Sequence, residues 1–316
     1  MSLLRDERPL AICILGPTAS GKTAAASMLH EHWHGDVISV DSAMIYRGMD
    51  IGTAKPTPEE LARVPHRLVD ICDPAESYSA GQFRRDALNA MQAIHDAGRV
   101  PLLVGGTMLY FKTLLEGATD LPATSPEVRD RLQARLAREG LAALHAELVK
   151  VDPAAGARIH PNDPQRTLRA LEVFHHTGIN LTEHWQRQRT TPLPWRIESF
   201  ALAPAERSTL HARIAERFDG MLSEGFIDEV ATLKARDDLT LSLPSMRSVG
   251  YRQVWEYLDG RCDYDTMRDK AIIATRQLAK RQMTWLRSWK QPLTWCDMTS
   301  TDASATLLKT VRRAYT

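Results

Sequence analysis

Gly16-Pro17-Thr18-Ala19-Ser20-Gly21-Lys22-Thr23 fits the spacing G-x-x-x-x-G-K-[ST], and that spacing has a mechanism. Two glycines let the backbone curl so that several N–H groups point at one diphosphate, while Lys22 neutralises its charge and Thr23 offers a hydroxyl to Mg²⁺. The run just before it, Leu10-Ala11-Ile12-Cys13-Ile14-Leu15, reads as a buried strand, and Ala24 to His34 reads as a helix. Strand, loop, helix is the setting a phosphate loop requires. The bland alternative is a tight glycine turn that binds nothing. The motif by itself points to an oligophosphate ligand, ATP included.

Working outward, Val37-Ile38-Ser39-Val40 reads as a second buried strand ending at Asp41, and Leu68-Val69-Asp70-Ile71 as a weaker third. Ser79 with Gln82 three residues on makes a capping box for a helix over Ala80 to Ala97 that Gly98 ends. Val100-Pro101-Leu102-Leu103-Val104 is a fourth strand running into Gly105-Gly106-Thr107. Strands alternating with helices imply a parallel sheet, whose ligands sit beyond the carboxyl ends of the strands. The phosphate loop, Asp41 and Gly105 to Thr107 all fall there.

From about Leu121 the texture changes to helices without intervening strands. Ser125-Pro126 starts one that Gly140 ends; Asp163 as N-cap, Pro164 and Gly178 mark another. The alternation resumes at Ile197-Glu198-Ser199-Phe200-Ala201-Leu202, after a return linker holding Pro192, Pro194 and Trp195. The expectation is an α/β fold: a P-loop NTPase-like parallel-sheet core of residues 1–116 and 196–316, interrupted by an all-helical insertion, residues 117–195.

Composition sets bounds. The chain has 316 residues, 43% of them apolar and 25% charged, with a net charge of +1, as expected of a soluble protein. Met1 to Arg8 lacks an apolar segment of the secretory kind, and no window approaches the length of a membrane span. Cys13, Cys72, Cys262 and Cys296 are scattered, which suggests neither a zinc site nor disulfides. A cytoplasmic protein with no membrane partner is expected.

Asp41 stands where a carboxylate can take a substrate proton beside the phosphate loop, hold a metal, or cap the turn that follows. Gly105-Gly106-Thr107 could set N–H groups and a hydroxyl against a leaving phosphate, or be only a turn. Arg213 and Arg217, near Glu206, Glu216 and Asp219, read by themselves as a solvated, ion-paired face. Between Arg247 and Lys290 ten Lys or Arg stand against five acids. There Arg276, Lys280 and Arg287 share one helical face, while Ala271, Ala274, Leu278, Trp285 and Trp289 lie near another. The aromatic stripe reads as core. The basic face is either ordinary surface or, with Arg247 and Arg252, a set of contacts to a nucleic-acid backbone. Arg158, Arg166 and Arg169 form a second basic set in the insertion, and the two sets together suggest a clamp.

These residues carry a family resemblance. Besides Gly16 to Thr23, its blocks are Asp41-Ser42-Ala43-Met44-Ile45-Tyr46 with Gly52-Thr53-Ala54-Lys55, and Gly105-Gly106-Thr107-Met108-Leu109-Tyr110. Then come Asn162-Asp163-Pro164-Gln165-Arg166, Arg247-Ser248-Val249-Gly250-Tyr251-Arg252, and Ala274-Thr275-Arg276-Gln277-Leu278-Ala279-Lys280-Arg281-Gln282. Across its whole length the chain resembles the bacterial tRNA dimethylallyltransferases, also called tRNA isopentenyltransferases. Ser248, where many relatives carry cysteine, and the absence of a C-terminal zinc module are small departures.

The resemblance implies transfer of the dimethylallyl group from dimethylallyl diphosphate to the exocyclic N6 amine of the adenosine 3′-adjacent to the anticodon. The tRNAs would be those reading codons that begin with U. Asp41 would be the general base, and Gly16, Pro17, Thr18, Ala19, Ser20, Gly21, Lys22 and Thr23 the diphosphate cradle. Thr107 and Arg217 would be further catalytic contacts, and Thr23 or Ser20 would hold Mg²⁺. The anticodon stem-loop would be touched by Asp41, Ser42, Ala43, Met44, Thr107, Arg129, Gln165, Arg166, Thr167, Leu168 and Arg169. Further contacts would come from Arg247, Ser248, Val249, Gly250, Tyr251, Arg252, Ala274, Thr275, Arg276, Gln277, Leu278, Ala279, Lys280 and Arg281. A monomer is expected. Rival readings of the same residues are a P-loop kinase, a nucleotide-dependent RNA-binding protein without catalysis, and an enzyme that prenylates free adenine nucleotides.

Overall fold

A computed structural model describes residues 7–117, 121, 125–187, 193–297 and 303–315. Pro192 of the expected return linker, and Arg5 and Asp6 near the N-terminus, lie outside them. The chain forms two compact units, Met1–Glu116 with Leu193–Thr316, and Gly117–Pro192.

The larger unit begins with strand β1 (Leu10–Leu15), buried at every position. Successive side chains of a strand face opposite ways, so Ala11, Cys13 and Leu15 pack with Phe83, Met91 and Phe111. Leu10, Ile12 and Ile14 pack on the other face with Ala25, Leu29 and Leu307. A strand covered on both faces has no polar side to alternate, hence the unbroken apolar run in the sequence. Then follow α1 (Lys22–Trp33), β2 (Gly35–Val40), α2 (Pro58–Arg63), β3 (His66–Arg67), α3 (Ala80–Asp96), β4 (Val100–Gly105) and α4 (Met108–Glu116). In α3 the capping box forms as expected: Gln82 N–H donates to Ser79 Oγ at 3.1 Å, and Ser79 N–H to Gln82 Oε1 at 2.8 Å. Its buried residues Phe83, Ala87, Ala90, Met91 and Ile94 recur at helical spacing against the sheet.

The smaller unit contains α5 (Pro126–Val151), α6 (Pro153–Arg158), α7 (Pro164–Thr177) and α8 (Leu181–Arg187), with no strand among its described residues. Gly140 breaks α5 as expected, at φ 80° and ψ 165°, but a second helical stretch follows at once. Leu132, Leu144, Leu148, Ala155 and Leu171 make this unit's own core.

The larger unit resumes with β5 (Arg196–Leu202), α9 (Arg207–Ser223), α10 (Phe226–Lys234), α11 (Tyr251–Leu258), α12 (Tyr264–Arg287), β6 (Thr294–Cys296) and α13 (Ala303–Tyr315). Among the described residues, six strands form one parallel sheet in the order β3-β2-β4-β1-β5-β6. This α/β architecture is the expected one. The third strand is not where the sequence placed it: it covers His66–Arg67, not 68–71. Leu68 and Asp70 both adopt left-handed backbone, at φ 62° and 56°, which no β-ladder accommodates. Parallel pairing reappears only as a bridge between Tyr46 and Cys72. The short edge strand β6 and helix α13 carry no signal that the sequence reading registered. No described helix is long and apolar enough to cross a membrane.

Candidate active site

Strand register creates the site. Leu15 pairs with Gly105 and Gly105 with Val40, so β1, β4 and β2 end in one row across the sheet. The next residues, Gly16, Gly106 and Asp41, therefore leave the sheet at one level. Neighbouring strands lie about 4.8 Å apart, which puts the phosphate loop and Asp41 about 10 Å apart with the Gly105–Thr107 turn between them. Gly105 must be glycine, because a Cβ there would lie 2.0 Å from the Val40 carbonyl oxygen.

The phosphate loop takes the curled form its glycines permit. Ala19 and Gly21 are left-handed, at φ 61° and 91°, and α1 begins at Lys22, directing its first N–H groups at the loop's hollow. A Cβ on Gly16 would meet Leu202 O at 2.4 Å and Ser20 Oγ at 2.6 Å. The Ser20 hydroxyl is buried and has no hydrogen-bond partner. A buried orphan hydroxyl is costly unless a ligand completes it. Thr23, three residues on in the first turn of α1, is exposed and lines the cavity, and hydroxyl oxygens are donors that suit a hard cation such as Mg²⁺. Among the described residues no cluster of three or more His, Cys, Asp or Glu could hold a metal unaided. Such an ion would depend on phosphate oxygens, as Mg²⁺ usually does.

Asp41 Oδ1 accepts the N–H groups of Ala43 at 2.8 Å and Met44 at 3.3 Å. It thus caps its own turn, one of the roles left open by the sequence, and this fixes its carboxylate. Thr107 Oγ1 accepts the Ser42 N–H at 3.0 Å, tying the central turn to the Asp41 loop. Lys22 is half-buried overall, but its ammonium is folded inward and donates to Pro17 O at 2.6 Å. Burial, then repulsion from Arg217, lower its pKa to about 7, with Asp41 pulling the other way. Arg217 is not on a solvated ion-paired face. It is half-buried in the cavity wall and donates to Thr53 O at 3.4 Å. Burial lowers its pKa and Asp41 opposes the shift; an arginine stays cationic regardless. One carboxylate, one lysine poised to charge and one fixed cation thus share the site.

These groups open into a cavity of about 550 Å³, also lined by Thr275, Leu278, Arg281 and Trp285 from α12. The Leu278 and Trp285 face, which reads as core from its pattern although the resemblance makes Leu278 a tRNA contact, is half-buried and supplies apolar cavity wall. The 247–252 turn lines the rim with Arg247, Ser248 and Val249, and Arg252 is exposed beside it. Tyr251 is buried instead, its hydroxyl 2.5 Å from Glu229. Ala279 is likewise buried, while Gln277, Lys280 and Arg281 are exposed. Arg276 is half-buried against the His211 carbonyl.

In the smaller unit, Thr167 and Leu168 are buried; Gln165 and Arg166 are exposed, as is Arg129, which pairs with Glu172. Arg169 is half-buried and also reaches Glu172.

Three supporting residues escaped the sequence reading. Glu229 accepts the N–H groups of Asp50 at 2.9 Å, Ile51 at 2.7 Å and Gly52 at 3.2 Å. Lys55 is sunk between Asp50, Asp70 and the Tyr46 carbonyl. Together they fix the loop whose Thr53 carbonyl meets Arg217. Gln282 bridges the phosphate loop and Gly106. In sequence Glu229 is an ordinary acid in a helix's first turn; Lys55 and Gln282 sat inside the family blocks without a role.

A parallel α/β sheet with a glycine-rich loop, a carboxylate, a lysine and an arginine at its carboxyl edge is the arrangement in which α/β enzymes hold phosphorylated ligands. Residues 44–289 match the profile of the family described as IPP transferase. The chain is 58% identical over 313 residues to the tRNA dimethylallyltransferase of Chromohalobacter salexigens, covering 99% of this chain and 100% of that one. Its structure resembles the full-length tRNA isopentenylpyrophosphate transferase of Bacillus halodurans, with TM-score 0.70 and 38% identity over 97% of this chain and 96% of that one. It also resembles a eukaryotic dimethylallyltransferase acting on tRNA, with TM-score 0.79 and 26% identity over 95% of this chain and 77% of that one. The chain belongs to the IPP transferase family.

Proposed function

We propose that this protein transfers a dimethylallyl group from dimethylallyl diphosphate to the N6 amine of the adenosine 3′ to the anticodon, in tRNAs reading codons that begin with U. The observation that carries the reading is the row Leu15, Gly105, Val40, which faces a phosphate cradle with a carboxylate across a single turn. Of the about 10 Å between them, a hydrogen bond from amine to Asp41 takes about 2.8 Å and the gap from amine to prenyl carbon about 3–3.5 Å. The remainder suits the breaking carbon–oxygen bond and the diphosphate's contact with the loop.

An adenine amine is a weak nucleophile, because its lone pair is delocalised into the ring. As the N6–C1 bond forms and the C1–O bond breaks, Asp41 accepts the amine proton and the diphosphate leaves with the bonding pair. Charge gathers on the departing oxygens, where the loop N–H groups, Lys22 and Arg217 stand ready. Thr23 and Ser20 are the protein groups that would hold Mg²⁺, which when bound supplies further neutralisation of the diphosphate. The apolar wall of Met44, Leu278 and Trp285 suits the prenyl chain, and the target base must be unstacked from its loop to enter. The exposure of Arg247, Lys280 and Arg281 at and beside the rim supports a role for them in contacting RNA phosphates.

The decisive assay mixes the protein with Mg²⁺, labelled dimethylallyl diphosphate and unmodified tRNA. Label should enter the RNA at that adenosine. Label that stays out of RNA, or transfer of the γ-phosphate of ATP instead, would overturn the reading; activity on free AMP without tRNA would redirect it to a nucleotide prenyltransferase.

A further inference from the structure

Helix α12 contributes a buried polar side chain to the floor of the site. Gln282 is 8% exposed. Its amide oxygen accepts the Thr18 N–H at 2.9 Å, and its amide nitrogen donates to the Gly106 carbonyl at 2.9 Å. A planar carboxamide can satisfy a donor and an acceptor at once, which neither a carboxylate nor an ammonium can do. The fit is also steric: a Cβ on Gly106 would approach Gln282 Nε2 to 2.3 Å.

From Gly106 the ties continue sideways. Thr107 Oγ1 accepts the Ser42 N–H, and Ser42 directly follows Asp41, whose Oδ1 holds the Ala43 N–H. The cradle, the central turn and the proton acceptor are thus linked above the sheet by side chains. Strand register sets the loops where they leave the sheet, and the Thr107 N–H, donating to Val40 O at 3.2 Å, holds the central turn to the end of β2; Gln282 is the side chain that ties the cradle to that turn.

We propose that Gln282 is a positioning residue that holds the diphosphate cradle at working distance from the Gly106–Thr107 turn and, through it, from Asp41. The proposal rests on the prenyl-transfer reading. An in-line displacement tolerates little misplacement, since an error of about 1 Å can cost about 100-fold in rate. The same geometry gives a signature. In the ligand-free protein Gln282 occupies the Thr18 N–H, so removing its carboxamide frees that donor for phosphate. Affinity for diphosphate is then preserved or improved while turnover falls, as expected for an interaction that matters in the transition state and not the ground state.

The test compares wild type, Gln282→Met and Gln282→Glu, reading kcat for tRNA prenylation and the dissociation constant of inorganic pyrophosphate with Mg²⁺. Gln282→Met keeps length without hydrogen bonds; its kcat should fall about 10- to 100-fold, with pyrophosphate binding no weaker than about threefold. Gln282→Glu can accept from Thr18 and donate to Gly106 only when protonated, so its kcat relative to wild type should climb as pH drops from 8 to 6. The proposal is overturned if Gln282→Met turns over within twofold of wild type, or if its pyrophosphate affinity falls in step with kcat. Should Gln282→Met not fold, a flat pH ratio for Gln282→Glu overturns it. Wild type that prenylates no tRNA sinks the transfer reading itself, whereas active wild type beside an undiminished Gln282→Met sinks only the positioning role.

Discussion

Lys22 should take up a proton when diphosphate binds. In the free protein its ammonium has lost water to burial and faces Arg217, and its pKa stands at about 7 against an ordinary 10.5. A diphosphate brings negative charge to that spot and favours the ammonium, so the bound-state pKa lies above the free-state value. Between the two, binding consumes a proton, and affinity falls as pH rises through that window. At pH 8, one unit above the free value, about nine in ten free molecules carry a neutral Lys22, so binding takes up about 0.9 proton and affinity drops about tenfold per further pH unit. The converse holds for folding. The unfolded lysine binds a proton that the folded one refuses between about 7 and 10.5, so this group's contribution to the stability of the ligand-free protein rises with pH across that range.

Titration calorimetry of inorganic pyrophosphate with Mg²⁺ at pH 8, in buffers of different ionisation enthalpy, counts the protons. The ligand's own protonation is common to wild type and Lys22→Arg, whose guanidinium stays charged, and cancels in the difference. Equal proton uptake by the two proteins would refute the account of Lys22.

Asp41→Asn keeps an oxygen for the Ala43 and Met44 N–H groups but cannot take the amine proton. Single-turnover rates should fall about 10²- to 10⁴-fold with tRNA binding retained, and an undiminished rate would remove Asp41 as the base. Asp41→Ala should in addition lose about 1 kcal/mol of stability with the turn cap, measured by denaturant unfolding. Lys280 is exposed, so Lys280→Gln should lower the slope of log affinity for tRNA against log salt by about 1. Arg276→Gln, half-buried at the His211 carbonyl, should disturb thermal stability more than that slope, and the reverse pattern would show Arg276 to be the phosphate contact. Glu229→Gln should cost about 2–3 kcal/mol, because a neutral amide with one acceptor oxygen cannot serve three backbone N–H groups and Tyr251 together; an unchanged melting temperature would show the loop to be held otherwise.

Much of the catalytic half was legible because its signals are local. A phosphate loop is one contiguous curl whose glycines are needed by its own backbone, and Asp41 and Gly105 to Thr107 follow apolar runs that can only be covered strands. Helices announced their ends at Ser79, Gly98, Asp163 and Gly178 for the same reason: caps act on neighbours in sequence. The misplaced third strand shows the limit, since left-handed backbone at Leu68 and Asp70 follows from how that loop is tied to Met44 and Lys55, not from residue type. Arg217 and Trp285 were misread by local pattern because a helical wheel gives a face but not what lies opposite it.

By itself, then, the sequence determined the four central strands β2, β4, β1 and β5, the phosphate loop and the chemistry each of their ends could offer, because these depend on residues adjacent along the chain. Only the tertiary structure decided which charges share the cavity, how far Lys22 is pushed toward neutrality, and that Gln282 and Glu229 brace loops some 176 and 178 positions away. Such pairings arise when distant segments are brought together and exclude water, a condition that no local pattern of residues encodes.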